Sequence, residues 1–135
     1  MEFLPTEAKA PEDADVLAPA DRRRLRERAL VEALERRERS GRAVTGLEDV
    51  LRAFNAGQLR RIVLREGFAR MGRLCHWCHR PSLHEARCAA CGKRTEAVLD
   101  VVDTLARLAR LQGCRVARLR HEPLDDLRRI CGDLR

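Results

Sequence analysis

Two Cys-x-x-Cys pairs, Cys75/Cys78 and Cys88/Cys91, are the residues of this chain best suited to carry chemistry. Each pair can bend the backbone into a tight turn that presents both of its sulfurs to one ion. Four thiolates complete a tetrahedral shell around one Zn²⁺, with zinc–sulfur distances of roughly 2.3 Å. A shell closed by four sulfurs leaves no position for water. The spacing therefore predicts one structural Zn²⁺ and speaks against a zinc enzyme.

Other interpretations of the four cysteines stay open. The start of the chain has no basic stretch followed by an apolar one, so we expect a cytoplasmic protein, in which such pairs bind metal more often than they oxidise. Disulfides or a redox pair, an iron–sulfur site with the same four ligands, and four unrelated thiols are the alternatives. His76, His79 and His84 lie close to the thiols in sequence, and we interpret them as exposed loop residues rather than ligands.

Charge is unevenly distributed along the chain. The 135 residues predict one domain and include 28 Lys and Arg against 21 Asp and Glu, a net charge of +7. Residues 1–20 hold one base and five acids, which leaves 27 bases and 16 acids for residues 21–135. A basic surface predicts a nucleic acid or an acidic partner. Possible nucleic-acid contacts are Arg22, Arg23, Arg24, Arg60 and Arg61, although a charge run such as the first three can equally be a solvated helix face.

Two further features of the composition limit the function. Aromatic residues make up 3% of the chain, so RNA would be recognised through its phosphates or its folded shape rather than by stacking of bases. No apolar run reaches the length of a membrane span. No nucleophile–base grouping, phosphate loop or paired-carboxylate motif stands out, and we predict neither catalytic residues nor a cofactor other than the metal.

Four helices are predicted along the chain. Residues 1–20 are predicted to be a disordered leader or linker, followed by a helix over residues 21–39 with Asp21 as N-cap. Thr45 and Glu48 match a capping box at the start of a second helix. The apolar face of that helix would consist of Leu47, Val50, Leu51 and Phe54. A third helix is predicted from Glu96 to Gln112 with Thr95 as its cap, and a short last one after Pro123 that includes Leu124, Leu127 and Ile130.

Strands are expected between these helices. Residues 59–64 and 114–119 are strand candidates, and residues 42–45 or the end of the chain could supply more. Residues 67–94 are predicted to be irregular and held together by the metal. Helices that alternate with strands in this order predict a small α/β layer fold.

The order of these elements, with four cysteines inserted at this point, resembles the third (C-terminal) domain of archaeal and eukaryotic class 1 peptide-chain release factors, and most closely their bacterial relatives. The resemblance covers residues 28–135. Its marks are residues 44–51, Ala53, the Gly57-Gln58-Leu59 step into Ile62-Val63-Leu64, residues 98–116 with Gly113, and the tail Ile130-Cys131-Gly132-Asp133-Leu134-Arg135. In the tail, Arg129 replaces a glycine, Gly132 stands for a small residue and Asp133 is unexpectedly polar.

This resemblance implies a three-layer α/β/α sandwich over residues 21–135, with a zinc-ribbon-like lobe at about residues 70–95. It also implies a non-catalytic domain that docks on translation factors or the ribosome. The alternative is a stand-alone basic protein that binds folded RNA. Cys114 is interpreted as a core residue of its strand, and no redox or nucleophilic role is expected for Cys114 or Cys131. Trp77 is expected to cover the zinc or the domain beneath it.

Overall fold

The computed structural model describes residues 18–121 and 129–135, which form a mixed α/β structure with three helices and two sheets. The helices are α1 (Pro19–Arg39), α2 (Leu47–Asn55) and α3 (Val101–Leu111). The strands are β1 (Ala43–Thr45), β2 (Leu59–Arg65), β3 (Gly72–Cys75), β4 (Arg80–Ser82), β5 (Glu96–Val98), β6 (Arg115–Leu119) and β7 (Ile130–Leu134).

The central sheet has the strand order β1-β7-β2-β6. β7 runs antiparallel to both of its neighbours, whereas β2 and β6 are parallel. The expected strands at residues 42–45 and at the end of the chain are therefore both present. Ile130, which we expected in a last helix, instead begins β7; the rest of that helix falls on residues 122–128, outside the described residues.

Side chains of the central sheet alternate between two apolar layers, as expected for strands covered on both faces. Ile62 and Leu64 face α2 and α3, in a core that also contains Phe54 and Leu105. Val63 points to the other face, where Val31 and Leu34 of α1 cover it. Helices thus lie on both sides of the sheet, which confirms the predicted α/β/α sandwich.

The segment between β2 and α3 is more regular than predicted. It contains a second sheet with the order β4-β3-β5, so the interpretation of residues 67–94 as irregular is wrong. The predicted start of the third helix at Glu96 is also wrong, because Glu96–Val98 pairs with β3 as β5. Asp100, rather than Thr95, caps α3, and its carboxylate accepts hydrogen bonds from the amides of Val102 and Asp103 at 3.0 and 3.3 Å.

Two other predicted helix caps are also wrong. α1 begins at Pro19, whose fixed φ suits the first helical turn, and Ala18 rather than Asp21 is its N-cap. Thr45 belongs to β1, where it pairs with Cys131, and so cannot cap α2. Gly46 is the N-cap of α2 instead, at a φ of 87° that glycine adopts without strain.

Helix α1 is attached to the body of the domain by a buried acid. Glu27 accepts hydrogen bonds from the amides of Arg120 and His121 at 3.1 and 2.7 Å, and from Arg23 Nε at 3.1 Å. These contacts join the helix to the segment that follows β6. Within residues 18–121 and 129–135, no helix is both long enough and apolar enough to cross a membrane.

Asp133 in β7 has no exposed surface and is surrounded by arginines. Arg37 of α1 donates from Nε to Oδ1, and Arg60 and Arg61 of β2 donate to Oδ2 at 2.6 and 3.2 Å. Burial by itself raises the pKa of Asp133, but the hydrogen bonds and charges of Arg60 and Arg37 outweigh it and hold the pKa below its ordinary value. The unexpected polarity of this position is therefore explained by an ionic contact between α1, β2 and β7.

We expect Asp133→Asn to lower the free energy of unfolding at neutral pH by about 2–3 kcal/mol. This is less than the ~3–5 kcal/mol typical of a fully buried pair, because Arg60 is half exposed. Since the pKa is lowered in the folded state, the contribution of Asp133 is complete above the ordinary carboxyl pKa of about 3.9 and is lost as pH falls through the folded value. Urea unfolding should therefore show wild type and variant converging in acid. Asp103→Asn, which removes a half-exposed carboxylate, should cost under about 0.5 kcal/mol; an equal loss in both variants would contradict this role.

Candidate metal centre

The four sulfurs of the two Cys-x-x-Cys pairs form one cluster. The Sγ atoms of Cys75, Cys78, Cys88 and Cys91 all lie within 4.8 Å of one another, and those of Cys75 and Cys91 are 3.6 Å apart. A tetrahedron with metal–sulfur bonds of roughly 2.3 Å has sulfur–sulfur edges of about 3.8 Å. A disulfide needs about 2.05 Å, and all four cysteines are free. The cluster can therefore hold one tetrahedrally coordinated metal ion.

The two pairs adopt the same local geometry. In each, the residue after the second cysteine has positive φ (55° at His79 and 77° at Gly92), and its amide donates to the carbonyl of the first cysteine. Gly92 thus closes its turn at a φ that glycine adopts without strain. Amides also point at the sulfurs, from Cys78 to Cys75 Sγ and from Ala90 to Cys88 Sγ, both at 3.4 Å. Such N–H groups stabilise the thiolate form that a metal requires.

The thiols of the cluster differ in pKa. The backbone amide of Cys91 is the main cause that lowers the pKa of Cys88 to about 7, whereas a hydrogen bond with the Cys91 side chain raises the pKa of Cys78 to about 12. Thiols this close cannot all ionise, because like charges repel. A divalent cation removes that repulsion and releases the protons, so metal uptake by this cluster would be favoured as pH rises.

Buried polar contacts support the lobe that carries the cluster, residues 72–98. Thr95 is buried, its hydroxyl donates to the carbonyls of Glu85 and Ala86, and Arg73 Nε donates to that hydroxyl at 2.7 Å. Thr95, which we expected to cap a helix, thus joins β3 and β5 to the loop before the second cysteine pair. These hydrogen bonds connect the strand that contains Cys75 to the loop that leads to Cys88.

Close packing attaches the lobe to the α/β body. A Cβ on Gly72 would lie 2.6 Å from Val101 Cβ and 2.7 Å from the Ser82 carbonyl oxygen, so only glycine fits between β4 and α3. Asn55 at the end of α2 donates from Nδ2 to the Pro81 carbonyl at 2.9 Å. The cluster therefore has a defined position relative to the central sheet.

The residues that flank the cluster are exposed. His76, His79 and His84 all face solvent, and His76 Nε2 lies 2.8 Å from Glu96 Oε1, so the described histidines take no part in the sulfur cluster. Trp77 is 72% exposed, and Lys93 Nζ lies 4.3 Å from its ring centroid. Of the two expected roles of Trp77, covering the domain beneath is wrong, because the turn between Cys75 and Cys78 points the ring outward; covering the metal stays a prediction. The ring instead forms a cation–π contact with Lys93, which follows the second cysteine pair.

The predicted nucleic-acid contacts lie at two separate places. Arg22, Arg23 and Arg24 are in the first turns of α1, where Arg23 pairs with Glu27. Arg60 and Arg61 lie at the start of β2, beside Asp133 and the last turn of α1. Arg24 and Arg37 are about 20 Å apart along the helix, at 1.5 Å per residue. The two groups of arginines therefore lie near opposite ends of α1.

Sequence reasoning missed several residues that shape these surfaces. Asp133 was noted only as an odd polar residue, although an acid within a buried strand is itself a signal of paired charge. Arg115, within the predicted strand at residues 114–119, lies next to Arg61 in the parallel register of β2 and β6, a pairing that the sequence alone does not indicate. Nothing in the sequence indicated that Lys93 lies over Trp77.

The likeness of this chain to known proteins lies in structure rather than in sequence. No protein-family profile matches the sequence, and no curated protein is significantly similar. Among solved structures, the C-terminal domain of peptide chain release factor from Methanosarcina mazei matches with a TM-score of 0.56 at 17% identity. The match covers 98% of this chain and 96% of that one. The two chains share a fold. The structural match agrees with the fold that the tail and the helix–strand order led us to expect, and at this level of identity it shows the fold alone.

Proposed function

We propose that this chain is a non-catalytic docking domain of a release-factor-like protein that works with the ribosome, in translation or in ribosome rescue, in the cytoplasm. The observation that carries the proposal is the structural match to a release-factor C-terminal domain over nearly the full length of both chains. The family resemblance of residues 28–135 supports it independently. By that resemblance, the partners are a translational GTPase, a ribosome-splitting ATPase or the ribosome itself.

The arrangement of potential reactive groups fits docking better than catalysis. The four-sulfur cluster is the group of side chains in the described part of the chain that can bind a metal. A metal there would be enclosed by sulfur and would have no position for a water or substrate. Its effect would be to fix the lobe, and so the exposed Trp77 and Lys93, in one orientation for a partner.

We further propose that the metal is one structural Zn²⁺ held by Cys75, Cys78, Cys88 and Cys91. The thiolate donor set and the near-tetrahedral spacing favour Zn²⁺ over hard cations such as Mg²⁺, which prefer oxygen. An iron–sulfur cluster remains the competing occupant for the same donors. Metal analysis of the purified chain separates the two.

Elemental analysis should find one zinc per chain, and X-ray absorption should show four sulfur neighbours without oxygen. The double variant Cys75→Ser, Cys78→Ser should lose the metal, and hydrogen exchange should then show loss of protection across residues 72–98, because metal binding and lobe folding are coupled. Cys114→Ser is the matched control, since Cys114 lies in the core and its Sγ contacts the Leu59 carbonyl. A double variant that keeps its metal, or iron in place of zinc, would refute the assignment.

The docking proposal predicts that the chain co-sediments with ribosomes, or retains a translational GTPase that mass spectrometry identifies among the bound proteins. An unrelated protein of equal net charge is the control for nonspecific attraction. Protein docking through packed surfaces should survive a moderate rise in salt. Loss of both interactions in low salt would count decisively against the proposal.

The alternative function is that of a stand-alone protein that binds folded RNA. The net charge of +7 favours it, as does the excess of bases over acids after residue 20. Binding through several phosphates weakens steeply with salt, since each contact releases condensed counterions. Retention of a translational GTPase in moderate salt therefore distinguishes protein docking from this alternative, in which the chain binds RNA alone.

A further inference from the structure

One end of the central sheet is densely covered with arginine side chains. β2 and β6 begin there, β7 ends there, and the last turn of α1 lies beside them. We call this surface the arginine-rich end. It consists of Arg37, Arg42, Arg60, Arg61, Arg115 and Arg135.

Contacts place these six residues together. Arg37, Arg60 and Arg61 all reach Asp133, as described above. The Arg42 carbonyl accepts the amide of Leu134 at 3.0 Å, and Arg135 Nε donates to the Leu59 carbonyl at 3.0 Å. Arg115 is the register partner of Arg61 across the parallel strands.

The acids near this surface balance only part of its charge. Among the described residues, Asp133 is the acid in contact with it, and Glu38 on α1 lies nearby. Asp133 has no exposed surface and already accepts hydrogen bonds from three guanidinium groups. Arg115 forms no ion pair with any described carboxylate, so its guanidinium faces solvent uncompensated. The surface carries an excess of several positive charges.

A cavity of about 390 Å³ opens on this surface, lined by Arg60, Arg61, Gly113 and Arg115. Its lining contains three guanidinium groups and no acid. Arg61 Nε is buried, and no group in the described part of the chain accepts its hydrogen. Arg61 Nε has no accessible surface, so the donors that an oxyanion in the cavity can reach are on the exposed guanidinium groups of Arg60 and Arg115. Gly113 lacks a side chain that would narrow the cavity.

We propose that the arginine-rich end binds backbone phosphates of RNA, with one phosphate in the cavity formed by Arg60, Arg61 and Arg115. A guanidinium group matches the geometry of a phosphate, and six of them spread along a sheet end suit a polyanion better than a single free phosphate. Of the aromatic residues that the structure describes, Phe54 and Phe68 pack in the core and Trp77 lies on the lobe, so the contact is to phosphate rather than to bases. The choice of RNA rests on the proposed function; the phosphate chemistry does not depend on it.

Filter binding of a radiolabelled RNA hairpin to the full chain, measured over a range of salt concentrations, tests this proposal. Arg115→Gln should weaken binding about fivefold to tenfold in 0.1 M salt and reduce the slope of log Kd against log salt by about one, the effect of losing one phosphate contact. Arg115→Lys should restore most of the slope but not all of the affinity, because the lysine ammonium keeps the positive charge but lacks the paired donors of a guanidinium group. Arg115 is exposed, so melting temperatures should not change.

The matched control is Arg107→Gln, which removes an equally exposed arginine from α3, where it pairs with Asp103. Equal losses of affinity in both variants would overturn the site. Displacement of RNA by inorganic phosphate at millimolar concentration would mean a free-phosphate site instead, and equally tight binding of polyglutamate would mean an acidic protein partner; either result overturns RNA as the ligand. If wild type binds no RNA in low salt but still associates with ribosomes, this inference fails while the docking proposal survives.

Discussion

The ionic contact at Asp133 connects most of the molecule. β7 lies between β1 and β2, and its carboxylate takes hydrogen bonds from α1 and β2 at once. A charge without exposed surface is tolerated only when it is well paired, so the last strand, the first helix and the start of β2 must all be in place together. Because one acid faces three arginines, the same contact leaves a positive surplus at this end of the sheet. The same group of charges thus stabilises the fold and makes this end of the sheet positive.

The lobe is stabilised by different interactions from those of the sandwich. Residues 72–98 bury few apolar side chains, and their strands are only three or four residues long. A small sheet that buries so little apolar surface is marginal in water without an added constraint. Thr95 and Arg73 supply part of it through buried hydrogen bonds, and the four sulfurs are arranged to supply the rest through a metal. The close packing of Gly72 against Val101 then fixes the orientation of the lobe relative to the sandwich.

Much of the sandwich could be predicted because its signals are local and periodic. The apolar faces of α2 and of residues 101–111, and the buried run Ile62-Val63-Leu64, appear in the structure where the sequence placed them. The sulfur cluster was predictable too, since Cys-x-x-Cys spacing limits what the thiols can do. Helix starts failed where strand pairing competed: Thr45 pairs with Cys131 and Glu96 pairs with Leu74, contacts that no local window of sequence contains. The grouping of Arg37, Arg60 and Arg115 was invisible for the same reason, since strand order brings together residues up to 78 positions apart.

The outward position of Trp77 has a practical consequence. It is the single tryptophan of a chain that contains no tyrosine, and it lies between two of the clustered cysteines with Lys93 over its ring. Near-ultraviolet emission of the whole protein therefore originates at the tip of the lobe, under the influence of one ammonium group. Tryptophan fluorescence should therefore report changes around the two cysteine pairs and respond little to changes in the sandwich.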